Sequence, residues 1–177
     1  MRITISGPPG SGKTTACKKL SETLGMKAVV FGEFFRKLAK EKGMTLAEFG
    51  ELAERDPSID RTIDGMILDA AREDSDIILE SRLSAHMLTK NGIPAFRIYL
   101  EASPEIRMMR VGMRDGESFE EVHRHTLERQ SSEAKRYKMY YDIDIEDRSV
   151  YDLTISTDEL DPDQVVDRIL KGLEECS

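Results

Sequence analysis

Residues 7–14 read Gly7-Pro8-Pro9-Gly10-Ser11-Gly12-Lys13-Thr14 and match the pattern G-x-x-x-x-G-K-[ST]. A short apolar run, residues 3–6, precedes this segment, and a helical pattern follows it from about Lys13 to Leu24. A strand, a glycine-rich turn and a helix in this order bring backbone N–H groups and the positive end of a helix dipole around a phosphate group. We therefore interpret residues 7–14 as a phosphate-binding loop, called the P-loop below.

Two P-loop side chains carry the expected chemistry. Lys13 offers a positive charge to the β- and γ-phosphates of a nucleoside triphosphate, and Thr14 offers a hydroxyl to Mg²⁺. The structural alternative is a glycine-rich turn that binds no ligand, but the strand and helix patterns on both sides favour a functional loop. The pattern alone does not choose among kinases, GTPases and motor ATPases.

Apolar runs alternate with helical patterns along the rest of the chain. Further strands are predicted at residues 28–31, 76–80, 96–100 and 153–155. The last helix has an apolar face made of Val165, Val166, Ile169, Leu170 and Leu173. Strands separated by helices indicate βαβ units and a parallel sheet. We predict an α/β fold with five parallel strands.

Two segments interrupt the simple alternation. Residues 32–72 are helical throughout and lie between the second and third strands; we call them the insertion. Residues 110–136 form the second segment, which we call the lid segment. From residue 119 to residue 136 its apolar side chains are only Phe119, Val122, Leu127 and Ala134. So poor an apolar stripe predicts a helix that projects over solvent or ligand, the alternative being a solvated surface helix.

Composition limits the classes of protein that the chain can belong to. The 177 residues carry a net charge of −8 and a mean hydropathy of −0.45, with two cysteines. These values predict one soluble domain in the reducing cytoplasm and argue against binding to nucleic acid or to an acidic membrane. No apolar run reaches membrane-spanning length, and the N-terminal residues are too few and too polar for a signal peptide. We expect a monomer.

Charged residues follow two of the predicted strands. Arg36 comes just after the second strand, and Glu80-Ser81-Arg82 follows the third. The carboxyl ends of parallel strands form the ligand-binding edge of such a sheet. Glu80 is therefore a candidate to hold Mg²⁺ directly or through water, the alternative being a helix cap or an exposed turn residue.

Arginines also recur at helical spacing in and beside the lid segment. One set has the spacing i, i+3, i+7 and another i, i+4, i+7, so each set shares one helix face. The sets are Arg107, Arg110 and Arg114, and Arg129, Glu133 and Arg136. The ordinary interpretation is solvated ion pairs. Phosphoryl transfer instead requires charge neutralisation in a water-excluded site, which arginines on a closing lid would supply.

Taken with the P-loop, these segments resemble the P-loop nucleoside monophosphate kinases, and most closely the archaeal-type cytidylate kinases. The resemblance covers essentially the whole chain. It implies phosphoryl transfer from ATP to CMP, and to dCMP, with Mg²⁺. It also implies a core of residues 1–31, 73–109 and 137–177, with the insertion binding the monophosphate. The matching segments are Gly32-Glu33-Phe34-Phe35-Arg36, Asp56-Pro57-Ser58-Ile59-Asp60-Arg61, Leu79-Glu80-Ser81-Arg82-Leu83, and Glu128-Arg129 through Arg136-Tyr137.

The resemblance also implies roles for individual residues. Lys13, Arg82, Arg129 and Arg136 would be catalytic, with Arg129 and Arg136 bridging the donor and acceptor phosphates. On the ATP side, Arg110 would stack on adenine and Arg114 would touch the phosphates. The other implied ATP-binding residues are Gly7, Pro8, Pro9, Gly10, Ser11, Gly12, Lys13, Thr14 and Thr15. On the CMP side, Glu133 would fix the arginine fork. The other implied CMP-binding residues are Arg36, Asp60, Arg61, Arg82, Arg129 and Arg136. Asp64 also lies where the acceptor nucleoside would bind.

Three departures from the family pattern affect fine geometry: Glu33, Ser81 in place of glycine, and Glu133 in place of aspartate. Several functions stay open at this point. A different monophosphate kinase would use AMP or UMP as acceptor, and a metabolite kinase would use shikimate or gluconate. A nucleotide-dependent switch would bind ATP without transferring phosphate. The two sets of phosphate-directed arginines favour a kinase.

Overall fold

The computed structural model describes residues 1–115 and 118–176, in which strands and helices alternate as predicted. The strands are β1 (Arg2–Ser6), β2 (Lys27–Val30), β3 (Ile77–Glu80), β4 (Phe96–Glu101) and β5 (Leu153–Ser156). The helices are α1 (Lys13–Leu24), α2 (Phe31–Glu41), α3 (Leu46–Arg55), α4 (Pro57–Glu73), α5 (Ser84–Lys90), α6 (Pro104–Asp115), α7 (Phe119–Tyr141) and α8 (Pro162–Glu175).

All five strands lie parallel in one sheet, in the order β2-β3-β1-β4-β5. The central strand β1 pairs with β3 on one side, where Ile5 faces Glu80, and with β4 on the other, where Ser6 faces Tyr99. The predicted five-stranded α/β fold is therefore confirmed. Because all strands run the same way, their carboxyl ends meet at one edge, directly below the P-loop.

Apolar side chains cover both faces of the sheet. One cluster joins Ile3 and Ile5 to α1 and α8, and the other joins Ile77 and Leu79 to the helices of the insertion. Helix α8 buries Val165, Val166, Ile169 and Leu173 as its spacing predicts, while Leu170 packs partly buried against the same cluster. Cys17 is buried in that cluster and behaves as a small apolar residue.

Local capping signals mark the helix starts. Capping boxes form at Thr45 with Glu48, at Ser118 with Glu121, and at Asp161 with Gln164. One predicted boundary was wrong, because β2 ends at Val30 and Phe31 begins α2. Phe31 is buried among apolar side chains of α4, and this packing, which local propensity does not report, sets the boundary.

About half of the side chains of helix α7 are exposed, which agrees with a helix that projects over solvent or ligand. Another face packs along α3 and buries Val122, Thr126, Glu133, Arg136 and Tyr137. For this face the solvated alternative is wrong, since Arg136 is only 2% exposed and Glu133 only 3%. Two of these five buried residues, Glu133 and Arg136, are charged and are held by ion pairs, so a search for apolar periodicity overlooks them.

The predicted segment boundaries fall inside helices. Helix α6 runs unbroken through residue 110, α7 runs unbroken through residue 136, and α2 begins one residue before the insertion. Any movement of the lid segment would therefore bend or carry a continuous helix. No helix in the described part of the chain is long and apolar enough to cross a membrane.

Candidate active site

A cavity of about 580 Å³ opens at the carboxyl edge of the sheet. The P-loop, the start of α2, the turn after β3, and helices α6 and α7 surround it. The predicted site residues that line it are Pro9, Gly10, Ser11, Gly12, Lys13, Thr14, Thr15, Arg36, Glu80, Arg82, Arg110, Arg114 and Arg129. The structure thus brings together residues predicted for the donor and for the acceptor.

The P-loop backbone depends on its glycines. Gly7 has φ +148°, and a Cβ atom there would lie 2.1 Å from the carbonyl oxygen of Leu100 on β4. Gly12 has φ +88°, a backbone conformation that residues with a side chain rarely adopt. The Nζ atom of Lys13 donates to the Pro8 carbonyl at 2.9 Å. Gly7 and Pro8 therefore shape the loop and hold its lysine without lining the cavity.

Burial controls the charge of Lys13. Desolvation lowers the pKa of its ammonium group to about 8, although Glu80 opposes the shift. An ammonium group that has already lost most of its hydration shell gains strongly from a phosphate ligand. The side chain is therefore prepared to bind donor phosphates.

Glu80 and Thr14 form the candidate metal position. Glu80 ends β3 and is buried, and its Oε2 atom accepts a hydrogen bond from Thr14 Oγ1 at 3.1 Å. A carboxylate and a hydroxyl are the hard oxygen ligands that Mg²⁺ prefers, with waters and phosphate oxygens completing its octahedron. The two side chains fit the predicted Mg²⁺ site, and the exposed-turn alternative for Glu80 is excluded.

Glu133 joins two arginines at the cavity wall. Its Oε1 atom accepts from Arg129 Nε at 2.9 Å, and its Oε2 atom lies 3.2 Å from Arg82 Nε. Burial opposes ionisation here, but Arg129, Arg82 and Arg136 together hold the pKa of Glu133 below its ordinary value. One Nη atom of Arg82 is buried without a hydrogen-bond partner. The carboxylate therefore aligns the guanidinium groups of Arg129 and Arg82, whereas the predicted fork consisted of Arg129 and Arg136.

Arg36 brings a further cation to this wall. It extends from α2, and burial lowers the pKa of its guanidinium, as do the neighbouring charges of Arg114 and Arg129. Mutually repelling cations around a partly buried cavity are stabilised by a polyanion bound among them. The arrangement favours a ligand that carries several negative charges.

Arg136 lies apart from the cavity lining. Its Nε atom donates to Asp60 Oδ2 at 2.6 Å and its Nη1 atom to Ser132 Oγ at 2.7 Å. Its guanidinium also lies against the rings of Phe35 and Tyr137. In this structure, then, Arg136 connects α7 to α4 of the insertion rather than facing the P-loop.

The remaining two residues predicted for the acceptor side differ in how deeply they are buried. Asp64 is buried, and its Oδ2 atom accepts from the Tyr141 hydroxyl at 2.8 Å. Desolvation raises the pKa of Asp64 to about 7, although that hydrogen bond opposes the shift. Arg61 is exposed and does not line the cavity.

Sequence comparisons agree with this geometry. The profile of the cytidylate kinase-like family matches residues 2–159. Among similar proteins, the cytidylate kinase of Methanosphaerula palustris is 51% identical over 159 residues, covering 89% of each chain. That of Methanococcoides burtonii is 45% identical over 174 residues, covering 98% of this chain and 97% of its own. The chain belongs to the cytidylate kinase-like family. The family inferred from the sequence motifs is thereby confirmed.

Solved structures similar to this cytidylate kinase-like chain share its fold at low sequence identity. The shikimate kinase of Bacteroides thetaiotaomicron has a TM-score of 0.64 at 18% identity, covering 98% of both chains. A gluconokinase from Sinorhizobium meliloti has a TM-score of 0.60 at 14% identity, covering 99% of this chain and 92% of its own. These likenesses establish a P-loop kinase fold.

Two further residues of this family member contact the P-loop without having been predicted to bind ligand. Thr157, just after β5, accepts from Arg110 Nη1 at 2.9 Å, and its hydroxyl lies 3.2 Å from the Ser11 carbonyl oxygen. Arg107, which the helical spacing had grouped with Arg110 and Arg114, donates to the Pro9 carbonyl. No motif included Thr157, although the rule that ligands bind at the carboxyl ends of strands points to its position.

Proposed function

We propose that the protein is a cytidylate kinase that catalyses ATP + CMP ⇌ ADP + CDP and also accepts dCMP. The observation that carries the proposal is one cavity lined by two sets of cations. Lys13 belongs to the P-loop, whereas Arg36, Arg82 and Arg129 come from α2, the turn after β3 and α7. A kinase that joins two phosphate-bearing substrates needs both sets, whereas a nucleotide switch needs one.

In the proposed reaction, an oxygen of the CMP phosphate attacks the γ-phosphorus of ATP in line. A new P–O bond forms as the bond from the γ-phosphorus to the β–γ bridging oxygen breaks, and that oxygen leaves with ADP. The protein contributes position and charge rather than a covalent intermediate. Lys13 would stabilise the leaving phosphate, and the Glu133-aligned pair, Arg82 and Arg129, would stabilise the transferring group.

The proposed reaction uses Mg²⁺, which the side-chain oxygens of Thr14 and Glu80 would hold directly or through water. When bound, the ion neutralises charge on the β- and γ-phosphates. The buried position of Glu80 keeps its carboxylate at this edge of the sheet, where it accepts a hydrogen bond from the Thr14 hydroxyl.

The proposed donor side also includes two arginines of α6. Arg110 would stack on the adenine base and Arg114 would contact the phosphates. These roles are supported by the positions of the two side chains. Both line the cavity, and Arg110 donates hydrogen bonds to Thr157 and to the Gly10 carbonyl.

The proposed acceptor side includes Asp60, Arg61 and Arg136. Its support is the proximity of the Asp60–Arg136 pair to Phe35, the residue next to Arg36. For Arg136 to bridge phosphates, as the family resemblance implies, its guanidinium would have to release Asp60 when the substrates bind. We further expect a monomer acting in the cytoplasm, on the grounds of composition alone.

The test is ADP release from ATP with CMP, dCMP, UMP, AMP and GMP offered separately as acceptors. We expect kcat/KM to be highest for CMP and dCMP. The Lys13→Ala variant, prepared in parallel, controls for contaminating kinases and should lose activity with every acceptor. A kcat/KM for AMP or UMP equal to that for CMP would refute the acceptor assignment. ADP release at the same rate without any acceptor would refute the kinase assignment.

A further inference from the structure

Helix α6 lies directly against the back of the P-loop. Gly10 has φ +83°, and a Cβ atom built there would lie 2.5 Å from the carbonyl oxygen of Arg107 and 2.8 Å from its Cα atom. This close approach leaves no room for a side chain at position 10. The P-loop therefore takes its shape partly from the first turns of α6.

The Arg107 side chain extends this contact to the lid helix. Its Nη1 atom donates to the Pro9 carbonyl oxygen at 3.4 Å and to Gln130 Oε1 at 3.2 Å. The guanidinium is buried, and its Nε atom has no hydrogen-bond partner. Among the side chains that the structure describes, no carboxylate lies within ion-pair distance of it. An arginine buried without a counter-ion costs stability, so its position requires a compensating role.

The contact with Pro9 bears on phosphate binding through one peptide group. The Pro9 carbonyl shares its peptide with the N–H of Gly10, and both residues line the cavity. A cation that donates to a carbonyl polarises the peptide and strengthens the N–H of the same group as a donor. The positive charge of Arg107 thus reaches a P-loop donor without the side chain itself touching ligand.

The contact with Gln130 bears on the lid helix. Gln130 is the neighbour of Arg129, which lines the cavity and is fixed on its other side by Glu133. Holding Gln130 therefore sets the rotation and depth of the turn of α7 that presents Arg129. Through a single guanidinium, the P-loop and this turn of the lid helix are held in fixed relative positions.

We propose that Arg107 is a positioning residue for the phosphoryl donor, which fixes and polarises the P-loop at Pro9–Gly10 and holds Arg129 opposite it through Gln130. This inference rests on the proposed function, because it takes a nucleoside triphosphate as the donor. It assigns Arg107 no contact with substrate.

Calorimetry on Arg107→Met with MgADP and, separately, with CMP tests the donor half of the proposal. We expect the Kd for MgADP to rise about tenfold while the Kd for CMP stays within twofold. Arg107→Lys keeps the charge on a shorter side chain, so its Kd for MgADP should lie between those of the wild type and Arg107→Met. Arg168→Met, an exposed arginine of α8 outside the cavity lining, is the matched control and should bind both ligands as the wild type does.

Steady-state kinetics on Gln130→Leu tests the lid half. We expect kcat to fall about fivefold or more with the Kd for MgADP unchanged, because the substitution removes the link from Arg107 to α7 and leaves its hydrogen bond to the Pro9 carbonyl in place. This variant and Arg107→Lys also keep the proposal testable if Arg107→Met fails to fold.

Three results would overturn the inference. One is a folded Arg107 variant that binds MgADP within twofold of wild type. Another is equal weakening of MgADP and CMP, which would indicate a merely structural role. The third is a Gln130→Leu variant with normal kcat. A wild-type protein that binds no MgADP would instead refute the proposed function, and this inference with it.

Discussion

The Nε atom of Arg136 on α7 donates a 2.6 Å hydrogen bond to Oδ2 of Asp60 on α4, and both side chains are buried. The pair joins the lid helix to the insertion, and the Asp60 carboxylate raises the pKa of Arg136 against the effect of burial. Lys135 with Glu54, and the Tyr140 hydroxyl with the backbone of α3, add contacts along the same interface. Helix α7 and the insertion are therefore packed together in this structure.

Arg136→Ala should destabilise the protein. The substitution leaves the Asp60 carboxylate buried without its partner, a loss of about 3–5 kcal/mol in unfolding free energy. Chemical denaturation of the variant measures it, with Asp60→Asn/Arg136→Ala as the control that removes the orphaned charge and should recover part of the stability. An Arg136→Ala variant as stable as wild type would show that the pair contributes little.

Arg129→Ala should affect turnover far more than stability. Its side chain is 17% exposed and lines the cavity, so truncation removes a group that acts on the ligand in the proposed reaction. We expect kcat to fall by about 10²-fold, with a smaller loss of stability than Arg136→Ala causes, because Glu133 keeps Arg82 as an ion-pair partner. Arg129→Lys should recover only part of the rate, because an ammonium group cannot reproduce a planar fork. A variant with normal kcat would remove Arg129 from the catalytic set.

Donor binding should weaken as pH rises through about 8. The pKa of Lys13 is lowered to that value, so the free protein progressively loses the ammonium charge above it. Calorimetric titration with a non-hydrolysable ATP analogue between pH 7 and 9.5 should show the Kd rising above pH 8, by up to tenfold per pH unit. Lys13→Met should bind weakly with a flat profile. The same slope in both proteins would assign the titration to another group.

Asp64 should make the protein less stable at alkaline than at acidic pH. Its folded pKa of about 7 lies above its ordinary value of 3.8, so the folded state binds the extra proton. Stability from this group is full below the unfolded pKa and is lost as pH rises from about 4 to 7. Asp64→Asn should therefore gain more in melting temperature, relative to wild type, at pH 8 than at pH 5. Asp69→Asn, at an exposed position of the same helix, should show no such difference.

Local rules were enough to predict the strands and the P-loop, because short-range sequence patterns determine both of them. The same rules missed the buried face of α7. Glu133 and Arg136 are charged, and their partners include residues far away in sequence, so periodicity in hydrophobicity does not register them. Family resemblance implied that Glu133 orients Arg129 and Arg136, whereas the structure pairs Glu133 with Arg129 and Arg82. It did not indicate the ion pair of Arg136 with Asp60, because that pair depends on tertiary packing.

The sheet order also constrains when the site can exist during synthesis. Strand β1, at the N-terminus, pairs with β3 and β4, whose partner residues follow it by about 75 to 95 positions, and Thr157 supports the loop only after β5 has been made. Such non-local pairing is slow, since chain entropy is lost before the contacts form. The P-loop segment therefore leaves the ribosome before β4, α6 and Thr157, the elements that support it. Nascent chains interrupted before β5 should accordingly present a P-loop that lacks the contacts of the Thr157 hydroxyl with Ser11 and Arg110.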